Sequence, residues 1–305
     1  MWLVTGGAGF IGSHVVQAAL HAGHRVRVLD DLSTGDPRRL SREVELVRGD
    51  AADADVARRA AAGAEVVVHL AAHRAVPRSV DDPLATDRAN THGTLAVLEA
   101  ARAGGARRVV LASSSSVYGS AAALPTPETA EPRPASPYAV SKLAGEHYAR
   151  VHAELFGLST VSLRLFNAYG PGQSPEGPYA QLVPRVLDAL RRGDRPVVFG
   201  DGTQSRDLVY VGDVARAVLA AAATDAVGVV NIGSGRATSV LDVIAAATRA
   251  MGVRGEPHFL PARPGDVPHT CADPRRAAAL LGWRATVPLE EGLRRTARAP
   301  VVAAA

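Results

Sequence analysis

The sequence predicts an α/β chain: a doubly wound parallel sheet formed by residues 1–170 and a smaller lobe built mainly from residues 171–305. Three observations point there. Short β-branched runs alternate with longer stretches of helical apolar period. A glycine cluster joins the first run to the first helical stretch. After Gly170-Pro171-Gly172 the alternation loosens. The 305 residues suffice for one large α/β domain or two modest ones, and a composition of 47% hydrophobic and 21% charged residues is too apolar for a disordered chain.

Trp2–Thr5, Arg25–Leu29, Glu45–Val47, Val66–Leu70, Val109–Ala112 and Thr160–Leu165 read as buried strands of the sheet. Ile11–Ala22, Pro83–Ala103 and Pro137–Phe156 read as the helices between them, with Gly23 and Gly157 placed as stops. Such alternation forces right-handed crossovers. The Gly- and Pro-rich stretch 171–185 reads as a loop that gives way to a helix near Leu182–Arg191. A strand at Leu208–Val211, helices at Asp213–Ala223 and Val240–Met251, and an extended proline-rich stretch Glu256–Cys271 follow. Some of these later elements are expected to return to the main sheet. The alanine-rich tail Val301–Ala305 is expected to fray.

Composition excludes several function classes. No apolar run reaches the ~20 residues that a bilayer requires, and Met1-Trp2-Leu3-Val4-Thr5 enters a strand directly, without a basic region and cleavage site. The single cysteine, Cys271, rules out a disulfide framework and reads as a small buried residue. A cytoplasmic, non-membrane protein is the expectation. His14, His69 and His73 lack metal-ligand spacing, so no metal is expected. The net charge is +4, but Arg107-Arg108 and Arg191-Arg192 are short, scattered pairs and aromatics make up 4%. These are solvated arginines rather than a nucleic-acid surface.

Thr5-Gly6-Gly7-Ala8-Gly9-Phe10-Ile11-Gly12 follows the first strand and opens the first helix. Gly6, Gly9 and Gly12 fit the three tasks of a Rossmann-type loop: a tight turn, close approach to a diphosphate, and helix–strand packing. The diphosphate would rest on the free amides of the helix. The second strand ends in Leu29-Asp30-Asp31, and Asp30 lies 18 residues after Gly12, where a carboxylate binds a ribose diol and repels a 2′-phosphate. NAD is favoured over NADP. Asp50, after the third strand, is placed to reach the adenine amine.

Ser136-Pro137-Tyr138-Ala139-Val140-Ser141-Lys142 starts a helix with proline in its first turn. Tyr138 and Lys142, four apart, share a face. A phenol with a reference pKa of ~10 is a poor base at neutral pH, and a nearby ammonium favours the phenolate. Upstream, Ser113-Ser114-Ser115-Ser116-Val117-Tyr118-Gly119 follows an apolar strand, placing hydroxyls at the sheet edge where open α/β sheets bind ligands.

These motifs, with His69-Leu70-Ala71-Ala72, Asn90-Thr91-His92-Gly93-Thr94 and Arg164-Leu165-Phe166-Asn167, occur in order over nearly the whole chain. As a set they resemble the extended short-chain dehydrogenase/reductase superfamily, in its nucleotide-sugar epimerase and dehydratase branch. The resemblance implies a catalytic set of Ser114, Tyr138 as acid and base, and Lys142 as its support. It adds Phe10, Ile11, Asp31, Leu70, Ala71, Ala72 and Asn90 to the cofactor residues. On the substrate side it implies Arg74, Ser115, Phe166, Asn167, Gln181, Leu182 and Phe199. It also implies Arg206 (oriented by Asp207) and Arg263 on the diphosphate, and Asp266 on a ribose. Arginine forks suit phosphate oxygens. A homodimer through the helices beginning near Pro83 and Pro137 is implied in the same way.

Dehydratases of this branch carry an acid pair or a Cys/Glu pair after the catalytic hydroxyl. Here Ser115 and Ser116 stand there, and neither serves as the base that elimination needs. The expectation is an NAD-dependent nucleotide-sugar 4-epimerase, with UDP-glucose and UDP-galactose the leading pair, working by transient oxidation at C4. Alternatives are a UDP-glucuronate epimerase, for which Arg74 or Arg78 would pair with a carboxylate, and a UDP-N-acetylhexosamine epimerase, for which Thr270 would leave room. A dehydratase and a catalytically silent NAD-binding regulator also stay open.

Overall fold

A computed structural model of the chain describes residues 1–120, 123–176, 180–262 and 267–300. Its main sheet has seven strands, all parallel. In chain order they are β1 (Trp2–Thr5), β2 (Val26–Asp30), β3 (Glu45–Arg48), β4 (Val66–His69), β5 (Arg108–Ser114) and β6 (Ser159–Leu165). The seventh comes later, as described below. The order across the sheet is seventh–β6–β5–β4–β1–β2–β3, so the connection reverses direction between β1 and β4. A crevice opens above such a reversal, at the carboxyl ends of the strands.

Alternation along the strands builds two cores. Trp2, Val4, Val28, Val66 and Val68 face α1 (Phe10–His21), whose Val15, Val16 and Ala19 complete the layer. Leu3, Leu29, Val67, Val109 and Leu111 face the other way. They meet Ala57 and Ala60 of α2 (Ala54–Ala61) and, from helices further along, Val97, Leu98 and Ala149. α2 is absent from the expected elements, although its signals are present: the Asp53 side chain caps it, accepting from the Asp55 and Val56 amides, and small apolar residues recur at helical spacing.

The single helix expected over Pro83–Ala103 is broken. After α3 (Val76–Asp81) come α4 (Pro83–Asp87), a π-helical turn Arg88–His92, and α5 (Gly93–Ala103). Leu98 and Val97 anchor α5 in the second core, while the π turn buries Asn90. The serine run continues β5 and then forms a 3-10 turn, Ser115–Tyr118, rather than a slack loop. α6 (Pro137–Phe156) is capped by the Ser136 hydroxyl, which accepts from the Ala139 amide, and ends at Gly157 in the left-handed region (φ 68°).

The remaining chain forms β7 (Asn167–Tyr169), α7 (Leu182–Arg192), β8 (Val197–Phe199), β9 (Ser205–Tyr210) and α8 (Val211–Ala223). It continues through β10 (Gly228–Ile232), β11 (Ala237–Ser239), α9 (Val240–Met251), β12 (His258–Leu260), α10 (Arg275–Leu281) and α11 (Leu289–Arg298). β10 is the seventh strand of the main sheet, pairing with β6, and α8 packs on the α1 face. β7, β9 and β11 make a three-stranded sheet and β8 pairs with β12 in parallel. α7, α9 and Leu293 of α11 close a third core. Arg263, Asp266 and the tail 301–305 lie outside the described residues. Among the described residues no helix is long and apolar enough to cross a membrane.

Candidate active site

At Gly6 the chain turns with φ at +69°, and a Cβ there would stand 2.7 Å from the Ala71 nitrogen. One at Gly12 would stand 2.0 Å from the Gly6 carbonyl oxygen, so neither position admits a side chain. Gly9 is the N-cap of α1 and no side chain caps that helix, which leaves first-turn amides, Phe10 and Ile11 among them, for an anion. Asp30 is 7% exposed, and its carboxylate accepts from the Ala8 and Leu32 amides, both at 2.9 Å. Burial raises its pKa, and the two amides oppose that rise. Each oxygen keeps a lone pair for a ribose diol.

Asp31 is exposed and accepts from the Ser33 amide and hydroxyl. Asp50 accepts from the Ala52 amide at 2.8 Å and lies 3.6 Å from Arg88. Leu70 and Ala71 are fastened to β1, donating to the Thr5 carbonyl at 3.1 Å and the Thr5 hydroxyl at 3.2 Å; half-buried Ala72 follows. Asn90 lies in the π turn before α5. It is 1% exposed, accepts from the His73 amide and donates to the His73 carbonyl and the Ser141 hydroxyl. With both amide hydrogens spent, it locks the segment after β4 onto α6.

Arg39 Nε, His73 Nδ1 and Thr91 Oγ1 are buried without partners, a state that native interiors seldom leave unexplained. The Asp36 amide donates to the Ala8 carbonyl at 3.0 Å, so the turn that carries Arg39 sits against the glycine loop. A cradle that a Cβ would fill, with the unpaired Arg39 Nε beside it, fits a dinucleotide.

The catalytic candidates converge at the carboxyl end of β5. Ser114 is 8% exposed, with its hydroxyl 3.1 Å from that of Ser116, and it stands beside the Tyr138 phenol, whose ionised form it favours. Lys142 is 7% exposed and donates to the Ala112 carbonyl at 3.0 Å, with its Nζ 6.0 Å from the centroid of the Tyr138 ring. Burial pushes the Lys142 pKa down to about 8. Burial also raises that of Tyr138, against the pull of Ser114 and of the Arg74 charge. Arg74 joins Lys142 as a cation near the phenol, and the Lys142 ammonium is turned to a carbonyl.

Beneath this trio lies a network that spacing alone did not reveal. The Ser113 hydroxyl donates to Glu146, and Arg164 of β6 grips the same carboxylate. Glu146 lies four residues beyond Lys142 on one helical face, which was the available signal. His69 is fully buried between the hydroxyls of Thr5 and Thr94, 2.7 Å and 3.1 Å away. The Thr5 hydroxyl also accepts from the Ala71 amide. Burial, helped by the Lys142 charge, pushes His69 down to about 3, so it is neutral.

On the substrate side a cleft beside the 3-10 turn is lined by Ser115, Tyr118, Ser120, Phe166, His269 and Thr270. Phe166 is 5% exposed and packs on Tyr118, and half-buried Asn167 opens β7. Gln181 leads into α7 and accepts from the Gln173 amide at 2.9 Å; Leu182 packs on the third core. The Arg185 guanidinium lies 5.8 Å over the ring of Phe199. Arg206 donates to the carbonyls of Ser205 and Pro268. Asp207 does not orient it, because neighbours on a strand point to opposite faces. The Asp207 carboxylate is fully buried and accepts from the Ser234, Gly235 and Ala272 amides, tying β9 to the loop after β10.

Comparisons with known proteins agree with this geometry. The model of the NAD-dependent epimerase/dehydratase family matches residues 2–233. A UDP-glucose 4-epimerase of Mycolicibacterium smegmatis is 42% identical over 302 residues, 96% of each chain. The solved structure of a UDP-glucose 4-epimerase with UDP-glucose from Thermotoga maritima is 39% identical, with a TM-score of 0.94 over 97% of both chains. That of the Thermus thermophilus UDP-glucose 4-epimerase in complex with NAD is 38% identical, with a TM-score of 0.89 over 97% of both. The chain, with its glycine cradle and its Ser114–Tyr138–Lys142 group on one sheet edge, belongs to the NAD-dependent epimerase/dehydratase family.

Proposed function

We propose that the protein is an NAD-dependent UDP-glucose 4-epimerase. The observation that carries the reading is the gathering of Ser114, Tyr138 and Lys142 at the end of β5, beside serines where elimination would need carboxyl groups. In this reading Gly6, Gly9 and the first turn of α1 seat the diphosphate of NAD, and Asp30 and Asp31 take the adenosine ribose. Bound NAD supplies a hydride acceptor that returns what it takes. Tyr138 removes the proton of the sugar C4 hydroxyl and later restores it, with Ser114 steering the transfer. Arg74 favours the ionised phenol. Lys142, held on the Ala112 carbonyl, keeps a cation below the ring.

Phe166, Ser115 and Thr270 line the space offered to the sugar, and Asn167, Arg206 and Arg263 are assigned to the diphosphate. Arg74 also supports a second reading, acceptance of UDP-glucuronate, since its charge already reaches the reacting phenol. A homodimer is part of the proposal: Leu84 (83% exposed), Val140 and Leu155 leave α4 and α6 with an apolar outer surface. A cytoplasmic setting fits the lone free thiol of Cys271.

Incubation of the holoenzyme with UDP-galactose tests the reading. UDP-glucose formed without net NADH supports it. A 4-keto-6-deoxy product would instead mark a dehydratase, and bound NAD without turnover of any UDP-sugar in a panel would mark a silent regulator.

A further inference from the structure

α6 holds the carboxyl end of β5 at three successive residues. The Ala112 carbonyl accepts from Lys142 at 3.0 Å, the Ser113 hydroxyl donates to Glu146 Oε1 at 2.5 Å, and Ser114 meets the Tyr138 phenol. Tyr138, Lys142 and Glu146 are four apart and share one helical face. Only Glu146 has both oxygens fixed by a partner outside the helix. Arg164, opposite Ser113 in the β5–β6 register, donates from Nε to Oε1 at 2.9 Å and from its terminal nitrogen to Oε2 at 2.7 Å.

The Arg164 guanidinium lies 4.7 Å over the ring of Tyr118, whose hydroxyl donates to Asn231 at 2.7 Å. The side chains of Glu146 and Arg164 are 5% and 4% exposed. A buried pair of this kind is weak evidence for stability, because well-packed apolar residues commonly hold a core equally well. What a bidentate pair adds is direction. It fixes both the rotation of α6 and its height along β5, and a misplacement of about 1 Å at a reacting group costs about 10²-fold in rate.

We propose that Glu146, clamped by Arg164, is a positioning residue for the proton transfer: through Ser113 it sets the seating of α6 on β5 that brings Tyr138 onto Ser114. The inference rests on the reading of Tyr138 as acid and base. The groups facing its ring are Lys142 on its own helix, Arg74 from the segment after β4 and Ser114 of β5. Ser114 favours the ionised phenol, so loosening this contact moves the titration of Tyr138 to higher pH.

The test uses holoenzyme carrying tyrosine labelled with carbon-13 at Cζ, the Tyr138 signal being assigned with Tyr138→Phe. The double variant Glu146→Leu/Arg164→Met removes both charges and keeps similar bulk; Ser113→Ala cuts only the link to the strand. In the double variant the Tyr138 midpoint is expected to move to higher pH. Its kcat for UDP-galactose should fall about tenfold or more with KM held within about threefold. Ser113→Ala should shift both in the same direction by less, and it carries the test if the double variant does not fold. An unchanged midpoint and kcat in a folded variant would overturn the proposal and leave the pair a packing feature only. Should the unmodified protein fail to epimerise UDP-galactose, the proposed function falls, while the titration still decides this inference.

Discussion

Two successive turns of α6 treat buried charge in opposite ways. At Glu146 the carboxylate is gripped by Arg164 on both oxygens and by Ser113 on one. One turn earlier, Lys142 donates to the Ala112 carbonyl, and burial pulls its pKa down to about 8. The paired turn faces the sheet interior and the uncompensated one lies beneath the reacting phenol. The contrast teaches that charge here is neutralised where it holds the helix and left exposed to desolvation where chemistry needs it.

Breaking the uncompensated turn produces the largest effect. Tyr138→Phe should fold and retain NAD while losing about 10²–10⁴-fold in kcat, measured with UDP-galactose; near-normal turnover would remove Tyr138 from its role. Lys142→Met is next, with a loss of about 10²-fold and a melting temperature equal to or above that of the parent. The sign follows from the shifted pKa. Unfolded lysine titrates near 10.5 and the native one near 8, so between those values the unfolded chain binds more protons and the parent gains stability as pH rises. The advantage of Lys142→Met should therefore be greatest near pH 7 and shrink toward pH 10.

Arg74→Gln sharpens the comparison more gently. Arg74 holds the Tyr138 pKa down, so its loss should move the acid limb of kcat/KM to higher pH and leave the plateau nearly intact. A smaller effect is expected at His69, neutral when native and pushed down to about 3. Stability is lost as pH falls from about 6.5 toward 3, because the unfolded imidazole takes up the proton first. Acid unfolding followed by circular dichroism should show His69→Gln less sensitive over that window.

Features carried by local spacing were legible in the sequence. The glycine loop, Asp30 and the Tyr138/Lys142 pair each need only a few neighbouring residues, and the structure puts them on one sheet edge. Features set by side-chain direction or by distant strands were not. Asp207 turned out to face away from Arg206 because strand neighbours alternate. Asn90 spends its amide inside the fold on His73, a partner 17 residues away, and the Glu146 partner sits on β6. Elements of three residues such as β7, β8, β11 and β12 carry too little period to be read. The place of β10 at the edge of the main sheet depends on a return of the chain that no local pattern encodes.

The proposed reaction is oxidation and reduction at a single sugar carbon, with Tyr138 moving the proton. Incubating the holoenzyme with UDP-galactose carrying deuterium at C4, and recording the proton spectrum of the UDP-glucose formed, tests it most directly. Full retention of deuterium at C4 is the predicted result. Its replacement by solvent hydrogen would contradict the account.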